Sequence, residues 1–183
     1  MLPAGKFDVV LLDPPWSYYG QQSKWGAAAK FYDTMPDEAL LALDVPSLLK
    51  PTSVVFCWAT SPRLDFAIRT LGSWGLHYRG VSFVWVKTSK SGKPFGARGV
   101  RPSIVKPTTE FVLAASMAPK GRPMPVSDES VPQVVLAAPG RHSEKPDEVQ
   151  ARIERLYPSA KRLEMFARRC REGWQAWGNE IHA

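Results

Sequence analysis

The chain is poor in the residues that build metal and disulfide centres. Only two cysteines, Cys57 and Cys170, occur in 183 residues, far apart and with no CxxC spacing. That excludes a disulfide framework and a cysteine zinc site, and points to a reducing compartment. The three histidines, His77, His142 and His182, stand at unrelated spacings, which argues against a metal enzyme. No apolar run reaches the roughly 18 residues of a membrane span, and no charged-then-apolar leader is seen. Glycine-rich phosphate motifs are missing as well, both GxGxxG and GxxxxGK[ST]. There is no internal repeat and no linker, so one domain over residues 1–183 is expected. Acids are the scarcer charge, 17 against 24 Lys and Arg, giving +7. Such a surplus implies an anionic partner.

What is present supports a packed core, with 44% hydrophobic and 11% aromatic residues. Phe7 to Leu12 is a short apolar run stopped by Asp13-Pro14-Pro15, which predicts a buried strand ending in a stiff turn. Further strands are expected at Ser53 to Trp58, Val81 to Val86, Glu110 to Ala115, Val134 to Ala137 and Arg162 to Phe166. Helices are expected from Pro36 through Leu43, from Pro62 to Leu71 and from Pro146 to Leu156, each opened by a proline. Alternating strands and helices predict an α/β fold whose sheet is mostly parallel and flanked by helices. Between Val81 and Ala137 the strands follow one another without a helix. Trp58, Trp74 and Trp85 are expected in the core.

Positive charge gathers in two places, around Thr88–Thr109 and across Arg152–Arg171. The first is a long loop holding Lys90, Lys93, Arg98, Arg101 and Lys106 with three glycines. A loop of this length in a compact domain is usually functional or disordered. It is either a solvated surface loop or a basic arm for a phosphate backbone.

Asp13-Pro14-Pro15-Trp16 carries the chemistry. Ligands of open α/β sheets bind beyond the carboxyl ends of strands, where this turn falls. Neither proline can donate a backbone hydrogen bond, so their carbonyls are expected to be free acceptors beside the Asp13 carboxylate. Acceptors from Asp13 and Pro14 suit an exocyclic amine, with Trp16 stacking on the ring that bears it. The blander alternative is a tight turn with an exposed tryptophan.

These residues resemble the adenine-N6 methyltransferases that bear an Asp-Pro-Pro-Trp signature. That MT-A70-like family includes the catalytic subunit of the eukaryotic messenger-RNA adenosine methyltransferase and many bacterial and phage DNA-modifying enzymes. The likeness continues in order along nearly the whole chain. It runs through Phe31-Tyr32-Asp33-Thr34-Met35, Phe56-Cys57-Trp58-Ala59-Thr60 and Trp85-Val86-Lys87-Thr88. It then takes in Lys145-Pro146-Asp147-Glu148, Arg162 to Arg168, and Trp177-Gly178-Asn179-Glu180.

The resemblance implies a Rossmann-like methyltransferase fold in permuted motif order, with S-adenosylmethionine as methyl donor and no metal. It assigns Asp13, Pro14, Pro15 and Trp16 to catalysis, and Tyr32 to the mouth of the site. Asp13, Lys145, Glu164, Arg168 and Asn179 match positions on the cofactor. An ammonium at Lys145 suits its carboxylate, and a carboxylate at Glu164 suits a ribose hydroxyl. Without the resemblance, Lys145 and Glu164 read as ordinary surface charges. Cys170 and Arg171 stand where the eukaryotic enzyme has histidine and asparagine, so the resemblance does not carry over the ribose contacts on that side.

The expected substrate is adenine in DNA, with Lys90, Lys93 and Arg98 on the phosphates. RNA is the alternative substrate, and a non-catalytic nucleic-acid-binding subunit the alternative role. Location in the cytoplasm of a bacterium or a phage-infected host is expected, as is a monomer or dimer, or pairing with a second methyltransferase-like subunit.

Overall fold

The structure, a computed structural model, describes residues 2–16, 35–96, 104–140, 144–179 and 181. Its centre is β1, Phe7–Leu12, apolar at every position but Asp8 because both faces are covered. Val10 and Leu12 enter one core, Val9 and Leu11 the other. On the first face lie α1 (Asp37–Leu41) and α2 (Leu64–Ser73), bringing Leu40, Phe66, Ala67 and Leu71. The opposite face is covered by α3 (Asp147–Leu156), through Val149 and Ile153.

Around β1 the sheet is completed by β2 (Leu49–Thr60), β3 (His77–Lys87), β4 (Thr109–Ser116), β5 (Val134–Ala137), β6 (Arg162–Met165) and β7 (Trp174–Trp177). The spatial order is β5-β3-β4-β2-β1-β6-β7. Pairing is parallel between β1 and β2, β1 and β6, β6 and β7, and β3 and β5. Only β4, of the described strands, runs the other way, antiparallel to both β2 and β3. This is the mostly parallel α/β sheet expected. Its consequence is positional: the segment joining β3 to β4 leaves from the same edge of the sheet as the turn after β1. That edge is also where β1 is flanked by β2 on one side and β6 on the other, the switch point that favours a ligand crevice.

The differences from expectation have local causes. Helix α1 stops at Leu41, with the backbone at Leu43 bonding to Leu40 O instead of continuing. Ser61–Arg63 is a 3₁₀ turn, so α2 starts at Leu64 and not at Pro62. Strand β6 stops at Met165 because Phe166 takes a left-handed conformation, φ 62°. The strand at Trp174–Trp177 is an edge strand of four residues, too short to show a period of its own.

The second cluster of positive charge is largely consumed by the fold. Arg162 donates to Tyr157 O and Pro158 O, and Arg152 to Pro132 O and Val134 O beside the edge strand β5. Arg155 pairs with Asp128, Arg169 with Asp147, and Arg171 with Glu154. Among the described residues, Lys90, Lys93 and Lys106 remain exposed on the β3–β4 segment.

Candidate active site

The turn after β1 is built by its neighbours. Asp13 N–H donates to Met165 O at 3.3 Å, continuing the β1–β6 ladder one residue beyond the strand. Trp16 N–H then donates to Pro14 O at 2.8 Å, closing a three-residue turn around Pro15. Met35 N–H donates to Pro15 O at 3.3 Å. The proline carbonyls, expected to be free acceptors, therefore each already hold one backbone donor. Pro14 O keeps one lone pair, and that is enough for a single further donor.

Trp16 also departs from its expected part. It is 4% exposed, meets Phe66 edge-on at 5.9 Å, and donates its indole N–H to Trp58 O at 3.0 Å. A ring so enclosed fixes the turn and forms wall; it is not an open stacking face. Phe66 is braced in turn by Arg63, whose guanidinium lies 4.1 Å from the ring centroid and pairs with Asp37 at 2.6 Å.

A cleft opens at this edge, lined by Asp13, Pro14, Pro15 and Trp16 from the turn and by Trp58, Ala59 and Thr60 at the end of β2. Glu110, Lys145 and Arg168 complete its lining. Lys145 Nζ lies 2.9 Å from Asp13 Oδ1 and 3.4 Å from Glu110 Oε2, and 5.4 Å from the Trp58 ring centroid. Glu110 binds Lys87 at 2.5 Å. Burial would raise the Glu110 carboxyl, but Lys145 and Lys87 outweigh it and hold it below its ordinary value. Glu110 was missed as a site residue, although an acid heading the apolar strand EFVLAA, directly after a basic loop, is the signal that could have revealed it. Cys57 lies inside the core, and burial together with Asp13 pushes its thiol up, so it stays an unreactive thiol.

Glu164 and Asn179 do not line this cleft. Glu164 lies on β6 next to β1 and accepts from Gln150 Nε2 at 2.9 Å. Burial, with the Asp13 charge adding to it, pushes its carboxyl up to about 6. Asn179 is exposed just past β7. Gly178 beside it packs on the turn after β6: a Cβ there would lie 2.3 Å from Ala167 O. Lys90 and Lys93 are exposed in the turn closed by the Thr88–Pro94 bridge. Tyr32, Arg98 and His142 lie outside the described residues.

The MT-A70 family model matches residues 7–180. The chain belongs to the MT-A70 family. This is a family of S-adenosylmethionine-dependent N6-adenine methyltransferases, in keeping with the α/β sheet described above. The chain is 32% identical to the Type II methyltransferase M.MunI of Mycoplasma sp, over 98% of this chain and 80% of that protein. It is 31% identical to an MT-A70-like N(6)-adenosine-methyltransferase of Arabidopsis thaliana, over 97% of this chain and 24% of that one. With the human N(6)-adenosine-methyltransferase catalytic subunit METTL3 the identity is 28%, over 97% and 28%. The chain thus spans about a quarter of these two eukaryotic relatives. Among the described residues, no three His, Cys, Asp or Glu side chains gather as a metal ligand set. No described helix is long and apolar enough to cross a membrane.

The residues present fit the family's cofactor chemically. An ammonium, Lys145, and a half-buried carboxylate, Glu164, stand near Asp13 and match a carboxylate at one end of the molecule and a diol further along. The close approach of Gly178 to Ala167 keeps the ends of β6 and β7 together beside them.

The elevated Glu164 carboxyl makes a stability prediction. Its value rises from 4.5 to about 6 on folding, so the folded state holds the proton more tightly. The favourable contribution is complete below pH 4.5 and lost as pH rises through about 6. Glu164→Gln keeps the Gln150 contact without the buried charge. It should raise stability at pH 7 by at most about 2 kcal/mol and change little at pH 4. Urea midpoints at the two pH values measure this; equal shifts at both would disprove it.

Proposed function

We propose that the protein transfers a methyl group from S-adenosylmethionine to the N6 amino group of adenine in DNA. The observation that carries this is the Asp13 carboxylate, seated at the carboxyl end of the central strand and opening into a cleft beside the Pro14 carbonyl. When bound, the cofactor supplies an electrophilic methyl on a positively charged sulfur. Everything else falls to the chain. Adenine's amine is a poor nucleophile because its lone pair is delocalised into the ring. The Asp13 carboxylate and the remaining lone pair of Pro14 O accept its two N–H groups, favouring a more tetrahedral nitrogen. Holding that lone pair in one direction gives much of the rate, and the Asp13 charge stabilises the positive charge growing on nitrogen.

Lys145 and Glu164 are assigned to the cofactor's carboxylate and ribose, and Arg168 and Asn179 to its remaining polar groups. The target must be unpaired or flipped, because its amine is inaccessible in a duplex. With Trp16 buried, stacking on the base is assigned to Tyr32. The likeness to a Type II methyltransferase over 80% of its length supports DNA over RNA as substrate.

The β3–β4 segment is assigned to the phosphate backbone, since it leaves from the edge that holds Asp13. Lys90→Ala with Lys93→Ala should weaken duplex binding and lower the slope of log K against log salt by about 0.9 per lysine. An unchanged slope in fluorescence anisotropy would count against this assignment.

The deciding assay offers labelled S-adenosylmethionine and the purified protein duplex DNA, single-stranded DNA and RNA, with nucleoside mass spectrometry of each product. N6-methyladenine in DNA is expected. Methylation of RNA alone would overturn the substrate, and no methylation of any would overturn the activity.

A further inference from the structure

Lys145 does more in this structure than wait beside the cleft. Its ammonium lies 2.9 Å from Asp13 Oδ1 and 3.0 Å from Oδ2, so it straddles both oxygens on which amine recognition depends. Glu110 lies 3.4 Å from the same ammonium and is itself paired with Lys87. The charges alternate as Lys87, Glu110, Lys145, Asp13, and all four side chains are at most 20% exposed. An ammonium on a carboxylate makes charge-assisted hydrogen bonds, about twice as strong as those of a neutral donor. A neutral adenine amine therefore does not displace Lys145 from Asp13. A second carboxylate competes on equal terms, and the long lysine stem lets the ammonium swing to it.

We propose that Lys145 is a latch on Asp13, so that the base amine is recognised only after a carboxylate-bearing cofactor has drawn Lys145 away. This rests on the function proposed above and adds an order to it: cofactor first, then base. Glu110 is the positioning residue of the latch. As a competing anion it shares the ammonium with Asp13 and keeps the hold short of permanent. Lys87 keeps Glu110 in place at the root of the β3–β4 segment. No covalent step is involved.

The test reads base discrimination, not turnover. A single-stranded oligonucleotide with one adenine is compared with the same strand carrying purine, which lacks the 6-amino group. The ligand-free protein should bind the two strands equally. Saturating S-adenosylhomocysteine should favour adenine by about tenfold, the worth of one hydrogen-bonded pair. Its decarboxylated analogue should leave them equal. Lys145→Met, and Lys145→Gln as a second variant, should discriminate about tenfold with no cofactor at all. Glu110→Gln removes the anion that shares Lys145 with Asp13, so discrimination should need a higher S-adenosylhomocysteine concentration.

Discrimination by the ligand-free wild type, or equal effects of the two analogues, would overturn the latch. Calorimetry separates the two ideas. Failure of S-adenosylhomocysteine to bind refutes the cofactor assignment, and the Lys145 variants alone then decide the latch.

Discussion

Asp13→Ala is expected to lower methyl transfer by about 10³-fold or more in single-turnover assays, the scale of losing a preorganised charge at a reacting centre. In the proposed reaction this carboxylate accepts from the amine, and its charge stabilises the nitrogen as it becomes positive. Folding should survive, because Asp13 is partly exposed and Lys145 keeps Glu110 as a partner after the change. Cofactor affinity, measured by calorimetry with S-adenosylhomocysteine, should be partly retained. Asp13→Asn keeps the shape and one acceptor oxygen but not the charge, so its activity should fall between the two. An Asp13→Ala protein within fivefold of the wild type would remove this turn from the chemistry.

The second large effect is structural and lies at the other side of the site. Gly178→Ala places a methyl 2.3 Å from Ala167 O and 2.8 Å from Ala167 N. Both are backbone atoms, so no side-chain rotation relieves the clash. The Ala167 N–H also donates to Trp177 O at 3.0 Å, which ties the same two segments together. Separation of these segments should destabilise the protein by about 3 kcal/mol, the upper end of overpacking costs. For a chain of this length that is a fall in Tm of roughly 6–12 °C. The turn after β6, which carries Arg168, should move with it, so cofactor affinity should fall as well. Calorimetric melting and S-adenosylhomocysteine binding measure the two parts. A Tm within about 2 °C of wild type would mean that the β6 and β7 ends separate at little cost.

Legibility followed the range of the interactions involved. Strand β1 could be read because both faces are buried, which writes the apolar run Val9–Leu12 into consecutive residues. Helices α2 and α3 could be read from prolines just ahead of them and apolar positions along one face. Strand β7 could not, since an edge strand of four residues has neither a run nor a period. The seat of Trp16 was equally hidden. Its indole meets Trp58 O and Phe66, both some forty residues away or more, and no local pattern records such a partner.

Ordered motifs along the chain determined the family, the Asp13-Pro14-Pro15-Trp16 turn and the chemical types around it: a carboxylate, an ammonium and a basic loop. These are properties of residues and their order, and they survive without coordinates. The tertiary structure decided how the charges are spent. Most of the Arg152–Arg171 surplus closes on carbonyls and acids of the fold, whereas the exposed lysines of the β3–β4 segment stay in water at the edge that holds Asp13. It also joined Lys87, Glu110, Lys145 and Asp13, which lie in four separate stretches of sequence. Their alternation exists only because β4 is inserted antiparallel between β2 and β3, which puts the start of β4 beside the ends of its neighbours.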